Sequence, residues 1–415
     1  MHKIKDIKLA PAGLKKIELA EQNMGALLEI GKKLGKSKPF KGLRIAMALH
    51  ITKETAVLVR ALRAGGAEVF ITGCNPLSTQ DDVAAALAKE GVHVFGHKGE
   101  SAREYYQFLN DVIKGKPHIT IDDGCDLVSE IHKNHPQLIP QIIGGCEETT
   151  TGVIRLKSME KDKALKYPVV AVNDNLTKHL MDNYYGTGQS TLDGIMRTTN
   201  FMFAGKTCVV AGYGSCGKGV AKRLSGLGSN VIVTEVEPFR ALQAAMDGYR
   251  VMKMMDAAKL GDLFITVTGD VDVITFEHAR KMKDGAIVCN SGHFDCEIDV
   301  AGIKKKSKSV REVRPFMEEC MLGAKKLYIL ADGRLINLAA AEGHPSDVMS
   351  LSFCGQALAC EYLVKEEGRL KNAVYTLPSK IDKYISNLQL EVMGIAIDKL
   401  TPKQKKYLGS WQSGT

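Results

Sequence analysis

Short apolar runs alternate with helical stretches in two blocks of the chain, and that alternation predicts parallel sheets covered by helices on both faces. In the first block the runs are Arg44–Leu49, Glu68–Thr72, His93–Phe95, His118–Ile121 and Val169–Val172. In the second they are Thr207–Ala211, Asn230–Glu235, Leu263–Thr268, Ala286–Cys289 and Leu327–Leu330. Leu176–Thr199 between the blocks reads as helical, and after Ala331 the chain leaves the second block. Pro345–Glu366, rich in Leu, Ala, Cys and Phe, reads as one long helix. No fixed-period repeat or low-complexity segment interrupts the pattern.

The 415 residues exceed one ordinary core and predict two or three domains. No apolar run reaches the ~18 residues needed to cross a bilayer. Met1–Ala10 lacks the apolar segment of a signal peptide, so a cytoplasmic protein is expected. The ten cysteines form no C-x-x-C pair and read as buried thiols. His and Cys show no zinc-type spacing, so no metal is expected in the chemistry. The net charge is +9, with basic clusters at Lys32–Lys41, Lys304–Lys308 and Lys403–Lys406. Lacking interleaved aromatics, these read as solvated surface rather than a nucleic-acid interface, although a positive field could help draw in an anionic cofactor.

The strongest local pattern is Lys206–Gly219, where an apolar strand runs into Gly212, Gly214 and Gly217. In a G-x-G-x-x-G turn the first glycine permits the tight turn and the second admits the pyrophosphate. The third lets the following helix pack close, and that helix offers its N-terminus to the phosphates. A second strand ends on Glu235, about 20 residues on, where the NAD fingerprint places a ribose-binding acid. An acid there repels a 2′-phosphate and favours NAD over NADP; Arg240 nearby could partly offset that charge.

Ligands of open α/β sheets bind beyond the carboxyl ends of the strands. His50, the Asp122–Asp123 pair and the Asn173–Asp174 pair each follow a strand of the first block. Each alone could be a turn or cap residue; their agreement points to a shared cleft. Lys178 and Asp182 share one face of a helix if that stretch is helical, either as a surface ion pair or as a proton-handling pair beside a nicotinamide. His293 follows a strand of the second block, and Asn337 and His344 follow the last one.

Several longer stretches resemble the S-adenosyl-L-homocysteine hydrolase family. They are Leu49-His-Ile-Thr-Lys-Glu-Thr55, Cys74-Asn-Pro-Leu-Ser-Thr-Gln-Asp81, Asp122-Asp-Gly-Cys-Asp-Leu127, Glu147-Glu-Thr-Thr-Thr-Gly152, Val172-Asn-Asp-Asn-Leu-Thr-Lys178, Ala211-Gly-Tyr-Gly214, Gly292-His-Phe-Asp295 and Gly343-His-Pro-Ser346. The resemblance runs over nearly the whole chain. It implies an α/β chain with two doubly wound parallel-sheet domains, the second a Rossmann NAD-binding domain inserted into a discontinuous substrate domain. The expected division is 1–185 for the first part of the substrate domain, 186–343 for NAD, 344–392 for the return and 393–415 for a C-terminal tail.

The implied reaction is reversible hydrolysis of S-adenosyl-L-homocysteine to adenosine and homocysteine. Oxidation of the ribose 3′-hydroxyl acidifies the C4′ proton, homocysteine is eliminated, water adds, and re-reduction leaves no net redox change. By the same resemblance Lys178 and Asp182 serve the 3′-oxidation, and Glu148 holds the ribose hydroxyls with them. His50 and Asp123 move protons at C4′ and C5′. Asn173 and Asn183 orient the lysine and the nicotinamide, and Thr52 and Glu54 meet the purine edge. His344 lies at the purine–cofactor junction. NAD is expected against Thr149, Thr150, Thr151, Asn183, Gly212, Tyr213, Gly214, Ser215, Cys216, Gly217, Glu235, Ser291, Gly292, His293 and Asn337. His293 and Phe294 resemble the family's access gate, and the family implies a homotetramer.

Four departures resemble the shorter prokaryotic and archaeal forms. The chain ends at Ser410-Trp-Gln-Ser-Gly-Thr415 without the long tail, and Thr187, Glu342 and Asp347 replace a cysteine, an apolar residue and an aromatic. Some archaeal relatives prefer the inosyl thioether. Glu54 could accept from an adenine amino group or from N1–H of hypoxanthine, and both substrates stay open, as do a net NAD-dependent dehydrogenase and a non-catalytic NAD-binding protein.

Overall fold

The computed structural model describes residues 1–412. Of the expected 393–415 tail, residues 413–415 lie outside the described residues; the rest includes a short helix, Pro402–Leu408.

Two eight-stranded sheets organise the chain. The first runs in the order His2–Lys3, His93–Phe95, Glu68–Thr72, Arg44–Ala48, Ile119–Asp122, Gly144–Glu147, Val169–Ala171 and Val374–Tyr375, parallel throughout. Its central strand pairs Ile45 and Met47 with Ile119 and Ile121 on one side and with Val69 and Ile71 on the other. Ile45 and Met47 enter one apolar cluster and Ala46 and Ala48 another, so both faces of the strand are buried. That is why the segment is continuously apolar rather than alternating.

The second sheet runs Arg250–Val251, Asn230–Thr234, Thr207–Ala211, Leu263–Thr266, Ala286–Asn290, Lys325–Leu330, Met317–Leu322 and Val310–Arg314. Its last three strands pair antiparallel, so the expected all-parallel sheet is mixed at one edge. The edge strand Val310–Arg314 is exposed and largely charged, which carries no apolar signal and suits an edge.

The strand Gly144–Glu147 also escapes an apolar reading. A Cβ on Gly144 would fall 2.7 Å from a methyl of Leu363, so glycine here lets a returning helix lie directly on the strand. That helix, Ser346–Lys365, is almost wholly buried and places Phe353, Ala357, Cys360 and Leu363 in the core of the first sheet. The stretch expected as one helix from Leu176 is broken. Leu176–His179 is one helical turn, Asp182–Gly186 winds more widely as a π-turn, and Thr187–Thr199 continues as an α-helix.

In each sheet the strand order reverses at one crevice, between Arg44–Ala48 and Ile119–Asp122 in the first and between Thr207–Ala211 and Leu263–Thr266 in the second. Such switch points are where open α/β sheets bind ligands. Residues beyond both crevices line a single cavity. Among the described residues no helix is long and apolar enough to cross a membrane.

Asp382, on the helix Ser379–Val392, ties the C-terminal part to the cavity. Its carboxylate accepts from the backbone N–H of Leu176 (2.7 Å) and Thr177 (3.2 Å) and from the Thr177 hydroxyl. It thereby caps the turn that carries Lys178. Asp382→Ala is expected to lower unfolding stability by about 1–2 kcal/mol, the cost of a lost cap. A urea titration with an unshifted midpoint would show that the tie is slack.

Candidate active site

The cavity between the sheets encloses about 810 Å³. At its floor lies Lys178, 4% exposed. Its Nζ donates to Asp182 Oδ2 at 2.8 Å and Asn183 Oδ1 at 2.7 Å, and faces Asn173 Oδ1 at 3.5 Å and Glu148 Oε1 at 3.7 Å. The i, i+4 pair read from sequence is thus a buried ion pair and not a surface one. The π-turn at Asp182–Gly186 sets Asp182 and Asn183 side by side toward the lysine. Burial draws the Lys178 pKa down, but Asp182 and Glu148 outweigh it and hold the ammonium above the ordinary range. Burial pushes the Asp182 carboxyl up, yet His344 and Lys178 hold it well below the usual range.

The second Asp182 oxygen is bonded to His344 Nδ1. His344 Nε2 faces Asn337 Nδ2 at 3.2 Å and Thr187 Oγ1 at 3.4 Å. Glu148 accepts from Ser352 Oγ and Gln356 Nε2 on the returning helix. Burial, opposed by Lys178, pushes its carboxyl up to about 7. Neither Ser352 nor Gln356 was singled out from sequence, because an isolated polar residue in an apolar helix carries no address.

At the first crevice His50 Nδ1 meets Ser78 Oγ at 2.8 Å, and Nε2 lies 3.4 Å from Asp123 Oδ2. His293 crosses from the second sheet to place Nδ1 3.4 Å from Asp123 Oδ1, and Phe294 packs edge-on against it. Burial, only partly opposed by Asp123, lowers the His50 pKa to about 4, so its imidazole is neutral near pH 7. Cys74 lies 3.2 Å from His50 Nδ1. Among the described residues His50, Cys74 and Asp123 form one group with a ligand-type atom each, all within 4.8 Å of one another. Burial and Asp123 push the Cys74 thiol well up, so it stands as a donor to Asp123 at 3.6 Å rather than as a thiolate ligand. Thr52 caps the next helix, and Glu54 accepts from Ser346 Oγ at 2.7 Å with Lys53 Nζ 3.3 Å away.

On the cofactor side Gly212 adopts φ +101°, and a Cβ on Gly217 would collide with the Gly212 carbonyl. A Cβ on Gly214 would meet only Arg240, at 3.8 Å, leaving the backbone open to a ligand. Glu235 follows the strand Asn230–Thr234 and accepts from the N–H of Tyr213, Val236 and Glu237 at 2.7–3.0 Å. Thr149, Thr150 and Thr151 open the helix Thr150–Lys161 at the cavity wall. Ser291 bonds Thr191 at 2.6 Å, and Gly292 N donates to Asn290 Oδ1 at 2.7 Å. Asn337 lines the cavity with a buried Oδ1 that has no partner among the described residues, an acceptor suited to a carboxamide N–H. Open glycines, ribose-type acid and unpartnered amide together fit a nicotinamide dinucleotide. Of the residues expected at the site, Asn173, Tyr213, Gly217 and Phe294 do not line the cavity. The Tyr213 ring is buried with its hydroxyl on Asp247 at 2.8 Å, so only its backbone serves the turn, and Gly217 acts through close packing.

Behind Asp123, the Asp122 read from sequence at a strand end faces Glu147, a partner not singled out from sequence. Asp122 and Glu147 are register partners on adjacent strands, both fully buried. Asp122 accepts from the N–H of Asp123 and Val128, each at 2.9 Å. Glu147 Oε1 accepts from Gly124 N at 2.8 Å and Thr149 N at 3.1 Å. Burial and the charges of Asp122 and Asp123 push Glu147 well up, and burial pushes Asp122 up to about 8.

Residues 1–137 match the family described as S-adenosyl-L-homocysteine hydrolase, and residues 183–343 match that family's NAD-binding domain. The chain is 57% identical to the S-inosyl-L-homocysteine hydrolase of Methanocaldococcus jannaschii over 100% of both chains. It is 54% identical to the adenosylhomocysteinase of Sulfolobus acidocaldarius over 100% of both, and 54% identical to that of Aquifex aeolicus over 99% of both. Among solved structures, a dipicolinate synthase from Bacillus halodurans superposes with a TM-score of 0.50 at 14% identity, over 79% of this chain and 99% of that one, a likeness of fold alone.

A carboxyl whose folded pKa is raised binds more protons folded than unfolded, so stability falls as pH rises from its unfolded value of about 4.3 toward the folded one. The melting temperature should therefore fall between pH 5 and pH 8, and Glu147→Gln should flatten that slope while keeping the acceptor for Gly124 and Thr149. An unchanged slope in the variant would place Glu147's proton elsewhere.

Proposed function

The chain belongs to the S-adenosyl-L-homocysteine hydrolase family, and from that premise we propose how its residues share the work of NAD-dependent thioether hydrolysis. The observation that carries the reading is the Lys178 ammonium, buried against Asp182, Asn183 and Glu148 in the cavity that also receives the glycine turn. The substrate is S-adenosyl-L-homocysteine, and the products are adenosine and homocysteine. Bound NAD supplies reversible two-electron chemistry at the ribose 3′-carbon.

Around it the side chains bind and move protons. Lys178 and Asp182 grip the 3′-oxygen, and the ammonium stabilises negative charge developing there. Glu148, poised near 7, accepts a ribose hydroxyl. His50, neutral near pH 7, takes and returns a proton at C4′ and C5′ with Asp123 beside it. Thr52 and Glu54 meet the purine, and His344 fixes Asp182. Thr149–Thr151, Asn183, the 212–217 turn, Glu235, Ser291, Gly292, His293 and Asn337 receive the dinucleotide. His293 and Phe294 close the entrance against water.

We divide the chain into 1–185 and 344–392 as substrate unit, 186–343 as NAD unit and 393–415 as tail, a division supported by the two sheets and their separate cores. A homotetramer is the assembly proposed, supported by exposed apolar residues such as Ile397, Leu400, Leu408 and Trp411 near the C-terminus. A cytoplasmic setting agrees with ten unpaired cysteines.

A second substrate, the inosyl thioether, is the one named for the 57% identical relative from Methanocaldococcus jannaschii. Glu54, with Lys53 Nζ 3.3 Å away, can accept from the 6-amino group of adenine or from N1–H of hypoxanthine.

Incubating the protein with each thioether should release free thiol without stoichiometric NADH. Steady NADH production would mark a dehydrogenase instead, and the ratio of kcat/KM values ranks the two purines. Lys178→Ala should lower turnover by roughly 10²–10⁴-fold with NAD still bound; near-normal activity would remove Lys178 from the chemistry. Glu235→Ala should reduce the NAD that survives gel filtration, and an unchanged content would count against the ribose contact.

A further inference from the structure

His179 follows the catalytic lysine, lines the cavity and has no role in the scheme above. Its half-buried ring spans two parts of the molecule. Nδ1 lies 3.5 Å from Asn183 Nδ2, and Nε2 lies 2.8 Å from Ser215 Oγ, the first residue of the helix that follows the glycine turn.

The direction of these bonds is set at the lysine end. Lys178 can only donate, so Asn183 Oδ1 must face it. The amide's Nδ2 then points the other way, donating to Asn173 Oδ1 at 3.1 Å and toward His179 Nδ1. An imidazole that accepts at Nδ1 carries its proton on Nε2, which therefore donates to Ser215. The Ser215 hydroxyl, already accepting, is left with its own proton directed outward. It sits at the N-terminus of the 12-residue helix Ser215–Gly226, where free N–H groups and the helix dipole favour an anion.

We infer that His179 is a cofactor-retaining positioning residue, which fixes the Ser215 hydroxyl as a donor to the NAD pyrophosphate. The neutral ring this requires agrees with its surroundings. Burial and Lys178 pull the His179 pKa down, Asp174 opposes them, and Arg240 and Lys218 add to the lowering. The same chain of bonds joins the phosphate end of the cofactor site to the side chain that holds Lys178.

The test measures how fast the purified holoenzyme loses NAD after dilution, with no reference to turnover. His179→Phe keeps a ring but cannot donate, and should release NAD about tenfold faster, the factor expected for one hydrogen bond to a charged group. His179→Gln can accept from Asn183 and donate to Ser215, and should restore wild-type retention. His179→Glu can only accept from Ser215, turns that proton inward, and should release NAD at least as fast as His179→Phe. Ser215→Ala combined with His179→Phe should be no faster than Ser215→Ala alone. Retention in His179→Phe equal to wild type would overturn the assignment. So would equal losses in all three His179 variants, which would make the ring a packing element only.

Discussion

A buried ammonium has to be neutralised, and most of the site follows from how Lys178 is. Removing one partner of such a pair costs about 3–5 kcal/mol because the other charge is left stranded. Asp182, Glu148, Asn173 and Asn183 all converge on it, and each is held in turn: Asp182 by His344, Glu148 by Ser352 and Gln356, Asn183 by Asn173, and Asn173 by Asp174. The local departure from α-helical winding at Asp182–Gly186 serves the same end, since it brings two consecutive side chains to one cation.

The two sheets divide the labour. The first ends its strands on groups suited to handling protons, with a neutral His50 and, beneath Asp123, the buried carboxyls of Asp122 and Glu147 whose pKa values burial raises. The second ends its strands on glycines and amides shaped to receive a dinucleotide. His293 reaches from one to the other, ending 3.4 Å from Asp123. An enzyme that removes and returns the same hydride must keep its cofactor through the cycle, and a cavity walled by both sheets suits that need.

Strand ends were the legible part of the site. His50, Asp122, Asp123, Asn173 and His293 stand after apolar runs, and the structure puts His50, Asp123 and His293 on the cavity wall, with Asp122 and Asn173 behind it. The glycine turn and Glu235 were legible because backbone sterics demand glycine and the spacing is fixed. What stayed hidden lies on elements without such a code. Ser352 and Gln356 look like ordinary positions of an apolar helix, and Gly144-Gly-Cys-Glu147 has none of the bulk of a strand although it lies at the heart of the first sheet. The antiparallel hairpin at 310–322 was missed because its outer strand faces water. Tyr213 misled because a fingerprint marks backbone shape and says nothing of where the ring points.

The groups that satisfy Glu148 come from residues 352 and 356, and the cap on the Lys178 turn comes from residue 382. The strand Val374–Tyr375 likewise completes a sheet begun at residue 2. During synthesis from the N-terminus the first sheet must therefore wait, with an unsatisfied buried acid and an uncovered face, while the whole intervening unit emerges and folds. Contacts of such sequence separation are slow to close and leave apolar surface exposed meanwhile. The architecture thus leaves a newborn chain with its site unfinished until its last quarter is made, and a prematurely terminated one without the partners of Glu148 and the cap on the Lys178 turn.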